Sequence, residues 1–293
     1  MRSRPETGTL WRLLETYHLV VYYAPERMVH YPALGLKGGW MGYFATRSAA
    51  LGVVPPAVVT ACFYNFKSTM VERALPDAWR YTTPERAVEA RLTVFDEAVR
   101  RLIGPGAADR SLEEAASVAV AAVERCDPAG RPLFAAHATL PVPAEPHLRL
   151  FWASAALREY RGEGHNAALL AHGIDGCEAH VLMRALGLVP DDQRLFRGWT
   201  EEDWEAAAQR LMDRGWLAGD GTITAEGRRG RAEVEQLTDA LADGPWRGTE
   251  AGAHATRLIE LLTPIAAAIV TSGGVPYPNG VGVPAIPELA ASR

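Results

Sequence analysis

Apolar residues recur three and four apart along most of this chain, a period that predicts a mainly α protein. In TGTLWRLLETYHLVVYYAPE, Leu10, Leu13, Leu14 and Tyr17 share one helical face behind a threonine cap. GLKGGWMGYFATRSAALGVV opens in glycines and turns helical from about Met41 to Gly52. PPAVVTACFYNF places proline at a helix start, where its missing N–H costs nothing. TPERAVEARLTVFDEAVRRLIG is the clearest element, with Thr83 as cap, Pro84 at the first position, and Val88, Leu92, Phe95 and Val99 on one face. Ser111 followed by Glu114 is a capping-box pattern. LRLFWASAALREYRG reads as a helix stopping at Gly162, HNAALLAHG as a second one, and Asp175 as the cap of a third.

These runs divide the chain into two helical halves. Residues 1–130 form an N-terminal domain, the proline-rich 131–147 a linker, 148–270 a second domain, and 271–293 an irregular Gly/Pro arm over the surface or a pocket mouth. Within the second half, TEEDWEAAAQRLMDRGWLAGDGTITAEGRRGRAEVEQLTDALAD reads as helix, two-stranded wing, helix. That run resembles the MarR-type regulators, in which it marks the recognition helix, the wing and the following dimer helix; the resemblance implies a winged-helix domain and admits a homodimer. The halves also echo one another, Gly52 falling opposite Gly173 and Trp79 opposite Trp199, so a tandem degenerate winged-helix repeat is an expectation.

YHLVVYYAPE, GLKGGWMGYFATRSAALG, CFYNF, LREYRGEGHNAALL and the wing together resemble a large actinobacterial family of helix-turn-helix proteins, over nearly the whole chain. The resemblance implies the fold and an actinobacterial source. It carries over no activity and no catalytic residue.

Charge tempers the regulator reading. The 293 residues carry a net charge of −5, which leaves no general footprint for nucleic acid or anionic membrane. Between Gly198 and Ala240, five arginines (210, 214, 228, 229, 231) face ten carboxylates (201, 202, 203, 205, 213, 220, 226, 233, 235, 239). The helix that would enter the major groove opens TEEDWE, with acids where phosphate contacts should begin. Nucleic acid is therefore disfavoured as a partner, although first-turn acids also simply suit the helix dipole. Cys62, Cys126 and Cys177 are odd in number and widely spaced, so a reducing cytoplasm is expected; the N-terminus is no signal peptide, and no membrane span is expected.

Candidate chemistry gathers in two places. RGEGHNAALLAHGIDGCEAH holds three histidines, but His165 and His172 lie about 10 Å apart along a helix, and Cys177 with His180 lacks a second ligand pair, so no metal site is expected. His165, placed after the RGEG break, would sit at a helix N-terminus receptive to an anion, with Arg161 beside it and Glu163 orienting it as general acid or base. The alternative is a tight helical corner in which Arg161 pairs with Glu163. The second place is GGWMGYFATRS, where Trp40, Tyr43 and Arg47 share a face suited to an anionic or planar small molecule, with Tyr64 and Asn65 from CFYNF as hydrogen-bond donors. The alternative is a core helix whose Arg47 pairs with a buried acid such as Glu26. His18 and Glu26 are second-tier candidates, His18 more simply a satisfied core histidine. His18 or His165 could serve haem, for which no motif exists, and phosphate loop, dinucleotide fingerprint and nucleophile elbow are all missing. The leading expectation is a cofactor-independent isomerase, lyase or cyclase of specialised metabolism; the alternatives are a ligand-responsive MarR-like regulator and a haem- or metabolite-sequestering protein.

Overall fold

A helix of 26 residues, α10 (Pro146–Ala171), is the element around which the others pack in the computed structural model, which describes residues 5–104 and 110–285. Against it lie α1 (Pro5–Tyr23), α7 (Pro84–Ile103), α8 (Arg110–Glu124), α9 (Pro132–Ala138) and α14 (Ala225–Ala242). The chain is mainly helical, with no named strand among the described residues.

The larger apolar cluster joins α1, α7, α8 and the early turns of α10 to α3 (Gly38–Ser48), α4 (Pro56–Phe63) and α15 (Thr249–Thr271). Between these run the short α2 (Arg27–Ala33), α5 (Ser68–Glu72) and α6 (Leu75–Ala78). α15 is long and apolar enough to cross a membrane, but its Leu258, Leu262, Ile265 and Ile269 are buried in this cluster, where the helix packs on α1 and α8. The smaller cluster is built from the end of α10, α11 (Gly176–Ala185), α13 (Glu201–Asp213) and α14, with α12 (Gln193–Phe196) as a short step between.

α11 and α13 pack together and both start in capping boxes, Asp175 with Glu178 and Thr200 with Asp203. After α13 comes a turn narrower than the expected wing. A single antiparallel bridge joins Leu217 to Ile223, flanked by Ala218 N–H to Thr222 O (2.8 Å) and Thr224 N–H to Trp216 O (3.0 Å). Trp216 then lies on α14 over Gly230, where a Cβ would come within 2.1 Å of its ring.

Several local expectations change. Thr7 lies inside α1 and donates to Asp243 instead of capping. On α7 the Thr83 cap holds, accepting from Arg86 N–H, but the buried face runs through Ala87, Ala90, Val94, Phe95 and Ala98, leaving Val88 and Leu92 half-buried. Alanine supplies much of this face beside the fully buried Phe95 and Val99, so large residues alone did not trace it. The expected linker carries α9, whose Leu133 and Phe134 are buried. No break follows Arg161: α10 runs through Gly162 and Gly164. A Cβ at Gly164 would lie 3.2 Å from Leu241 Cβ, so that glycine serves close helix approach and not a hinge. In the proposed repeat, the copy of the wing would fall mostly on 105–109, outside the described residues, as does 286–293 of the arm.

Candidate functional site

Because α10 is continuous, His165 is an interior helix residue and no helix N-terminus supplies it with an anion site. Glu163 points away from it. Its two carboxylate oxygens accept the N–H groups of Leu133 and Phe134, each at 2.9 Å, capping α9. Burial raises the Glu163 pKa, against those two hydrogen bonds. The expected His165–Glu163 pairing is therefore absent, and so is the alternative Arg161–Glu163 pair. Arg161 instead reaches Glu235 (3.0 Å) and Asp239 (2.7 Å) on α14 and lies over the Trp11 ring.

His165 Nδ1 lies 2.9 Å from Thr238 Oγ1, whose own hydrogen goes to Val234 O. Nδ1 must then be the donor, leaving the Nε2 lone pair free. Burial pushes the His165 pKa down to about 4, with Arg231 and Arg161 adding to the shift and Glu235 opposing it. A neutral imidazole of that basicity is a weak proton acceptor near pH 7.

Sequence-distant candidates nonetheless meet. An inner chamber of about 120 Å³ at the seam between the two apolar clusters is lined by Tyr43, Arg47, Asn65, Arg161 and His165. Most of its charges cancel. Arg47 grips Glu159 through Nε and Nη2, both at 2.9 Å, and donates to the Tyr43 hydroxyl at 2.9 Å. Arg158 holds Glu159 (2.7 Å) and Glu15 (3.3 Å). Arg231 holds Glu235 at 2.7 Å. Burial alone would raise the Glu159 pKa, but Arg158 and Arg47 outweigh it and hold the carboxyl well below its usual range. Arg47 thus does have a buried partner, though it is Glu159 and not Glu26, which pairs with Arg101.

A larger outer chamber of about 430 Å³ shares Tyr43, Arg197 and Val281 with the inner one. Tyr22 and Tyr23 come from α1, Arg27 from α2, Trp40 and Tyr43 from α3, Phe196 from α12, and Pro276, Pro278 and Val281 from the arm. Trp40 therefore belongs to a different chamber from Arg161 and His165. The arm is shaped by buried Asn279, whose Oδ1 accepts from Val281, Gly282 and Val283 N–H, and by Gly282 at φ 77°, where a Cβ would strike Met183. It is fastened by Gly280, whose carbonyl accepts from Gln193 and Arg197 and whose N–H donates to the Tyr23 hydroxyl.

Arg197 is the residue sequence reasoning missed. It is buried, donates from Nε to His180 Nε2 (3.1 Å), and has no carboxylate partner among the described residues. Burial lowers its pKa to about 10, so it stays cationic at neutral pH. Arg27, half-buried, also makes no ion pair there. The other candidates are structural. Tyr64 donates to Ile174 O at 2.5 Å and lines neither chamber. His18, wholly buried, lies 2.9 Å from Arg91 Nη2 and stacks on Phe151, its pKa pushed down by burial to about 4. His180 is taken up by Arg197 and Gln193, and Cys177 by the Asp203 carbonyl. Among the described residues, no three His, Cys, Asp or Glu side chains are grouped to hold a metal. Haem does not fit: His165 opens on the chamber too small for it, and no histidine among the described residues lines the larger one.

On the outer face of α13, Glu201, Glu202, Glu205 and Asp213 are exposed, and the one arginine there, Arg210, is bound to Asp175 and Glu178. On α14, exposed Arg229 pairs with Glu226 and Glu233.

No curated protein and no solved structure matches this chain. Residues 7–276 match a helix-turn-helix family, a span that takes in the larger cluster as well as the α11–α13 pair, and the chain belongs to that family.

Proposed function

We propose that this helix-turn-helix protein binds a small organic molecule in the outer chamber, and that binding there is its function. The carrying observation is the chamber itself. It has about 430 Å³, inside the range of roughly 300–1,000 Å³ usual for ligand sites, and three separate parts of the chain converge on it with few polar groups. Native mass spectrometry of the full chain tests this. A non-covalent adduct that disappears in Val281→Trp, with the fold intact by circular dichroism, supports it. No adduct, together with no thermal shift from a metabolite library, overturns it.

A regulator that grips DNA is the second reading, favoured by the family match. Against it stand the exposed carboxylates of α13, since like charges opposite phosphate are costly. A gel shift on the gene's own upstream DNA that weakens steeply between low and physiological salt would move the reading to a MarR-like sensor. An isomerase, lyase or cyclase using His165 is less well supported, because Glu163 is turned away and Nε2 is a weak base. Turnover lost in His165→Ala without loss of stability would restore it.

A further inference from the structure

The charged groups of the outer chamber are of one sign. Its wall contains Arg27 and Arg197 and no Asp or Glu among the described residues. Every other arginine of the adjoining inner chamber is already neutralised by Glu15, Glu159, Glu235 or Asp239. Arg197 spends three of its five N–H donors, on His180 Nε2 and the carbonyls of Phe196 and Gly280. Two remain. The Tyr23 hydroxyl accepts from Gly280 N–H, and its own hydrogen meets no acceptor among the described residues. A wall of donors with two uncompensated cations selects an acceptor-only, anionic group and repels an ammonium, even though aromatic rings alone would suit one.

The remaining surface is aromatic and apolar. Tyr22, Tyr23, Trp40, Tyr43 and Phe196 contribute rings, with Trp40 and Tyr43 edge to face at 5.6 Å and Trp40 and Phe196 at 6.5 Å. Pro190, Pro276 and Pro278 add rigid apolar surface. Such walls favour a planar ring system over a flexible chain, which would lose more conformational freedom on binding.

We infer that the outer chamber is a site for planar aromatic monocarboxylates, the ring lying among the tyrosines, Trp40 and Phe196 and the carboxylate held by Arg197 with Arg27 and the Tyr23 hydroxyl. This deepens the small-molecule reading and rests on it. Arg197 caps the C-terminus of the short α12 step between the paired helices α11 and α13, so the ligand's charge would be read beside that helix pair while its ring is read by the helical body.

Titration calorimetry of the full chain with four probes tests the assignment: 2-naphthoate, 2-naphthamide, octanoate and 2-naphthyl phosphate. The carboxylate should bind about tenfold or more tightly than the neutral amide, and by a similar factor over octanoate, as expected for one charge-assisted contact and one stacked ring. Arg197→Gln should bring the acid-to-amide ratio close to one, and Arg27→Gln should reduce it in part. If Arg197→Gln does not fold, Arg27→Gln and Tyr23→Phe carry the same comparison. Equal binding of acid and amide, octanoate matching naphthoate, tighter binding of the phosphate, or a ratio that survives both arginine changes would each overturn the assignment. If no probe binds but the purified protein carries another molecule, this assignment fails while small-molecule binding stands. With neither, both fail.

Discussion

Replacing Glu159 with glutamine tests whether the inner chamber is structural glue. Glu159 is 2% exposed and accepts from Arg47 Nε and Nη2 and from Arg158 Nη1. Glutamine keeps the volume but removes the charge, so Arg47 is left buried without a counter-ion while Arg158 retains Glu15. Stranding one partner of a buried pair costs about 3–5 kcal/mol. The Glu159 pKa in the fold lies well below the unfolded value of about 4.3, so its contribution is complete above that pH and is lost as pH falls toward the folded value. The stability gap between wild type and Glu159→Gln should thus be full at pH 7 and shrink by about 1.4 kcal/mol per pH unit below about 4.3. Urea unfolding followed by tryptophan fluorescence at a series of pH values measures both. The double variant Arg47→Met with Glu159→Leu should recover at least half the loss, since replacing a whole buried pair by apolar groups is often nearly neutral. A gap under about 1 kcal/mol at pH 7, or one that does not narrow in acid, would refute the reasoning.

Three further outcomes follow from the same packing. Burial holds His18, His137 and His165 near pKa values of about 4, and His180 well below its ordinary value, against about 6.5 when unfolded, so stability present above that pH drains away as pH falls toward 4. Each histidine should contribute a slope of about 1.4 kcal/mol per pH unit, and urea midpoints that stay flat between pH 6.5 and 5 would contradict this. Glu163→Gln should cost about 1–3 kcal/mol through the α9 cap and leave the His165 titration, read by NMR, unmoved; a displaced titration would reinstate the pairing. Gly230→Ala should cost about 1–3 kcal/mol by driving a methyl into Trp216, and hydrogen exchange should place the loosening at 216–230; exchange unchanged there would show that the ring yields freely.

The helical period and the Thr83 and Asp175 caps were legible because they depend on neighbours within one turn. The run RGEGH misled for a complementary reason. Two glycines in five residues weaken a helix locally, yet α10 gains enough from packing on α14 to pass straight through them. Whether a glycine breaks a helix or lets another approach is decided by what lies opposite, and Leu241 stands 77 positions away from Gly164. Glu163 followed the same logic: its nearest titratable neighbours along the chain were Arg161 and His165, but the donors that claim it are the backbone of a helix the sequence presents as proline-rich linker.

Trp40 and Tyr43 of one aromatic run do line the outer chamber, but Arg47 of the same run is tied to Glu159 in the inner one, and a missing partner, the decisive property of Arg197, cannot be read from sequence. Arg197 in DDQRLFRGW looks like any arginine among acids, with Asp191 and Asp192 close by in sequence. In the fold, Arg184 reaches Asp191 and neither aspartate pairs with Arg197. Burying a guanidinium costs several kcal/mol unless its charge and donors are met, and His180, Phe196 and Gly280 meet three of the donors and none of the charge. The other arginines of the inner chamber each meet a carboxylate, which is why the same residue type is structural there. An uncompensated cation on the wall of an apolar chamber stores a preference for an incoming anion, and that preference arises only when α12 and the arm close over α1 and α3.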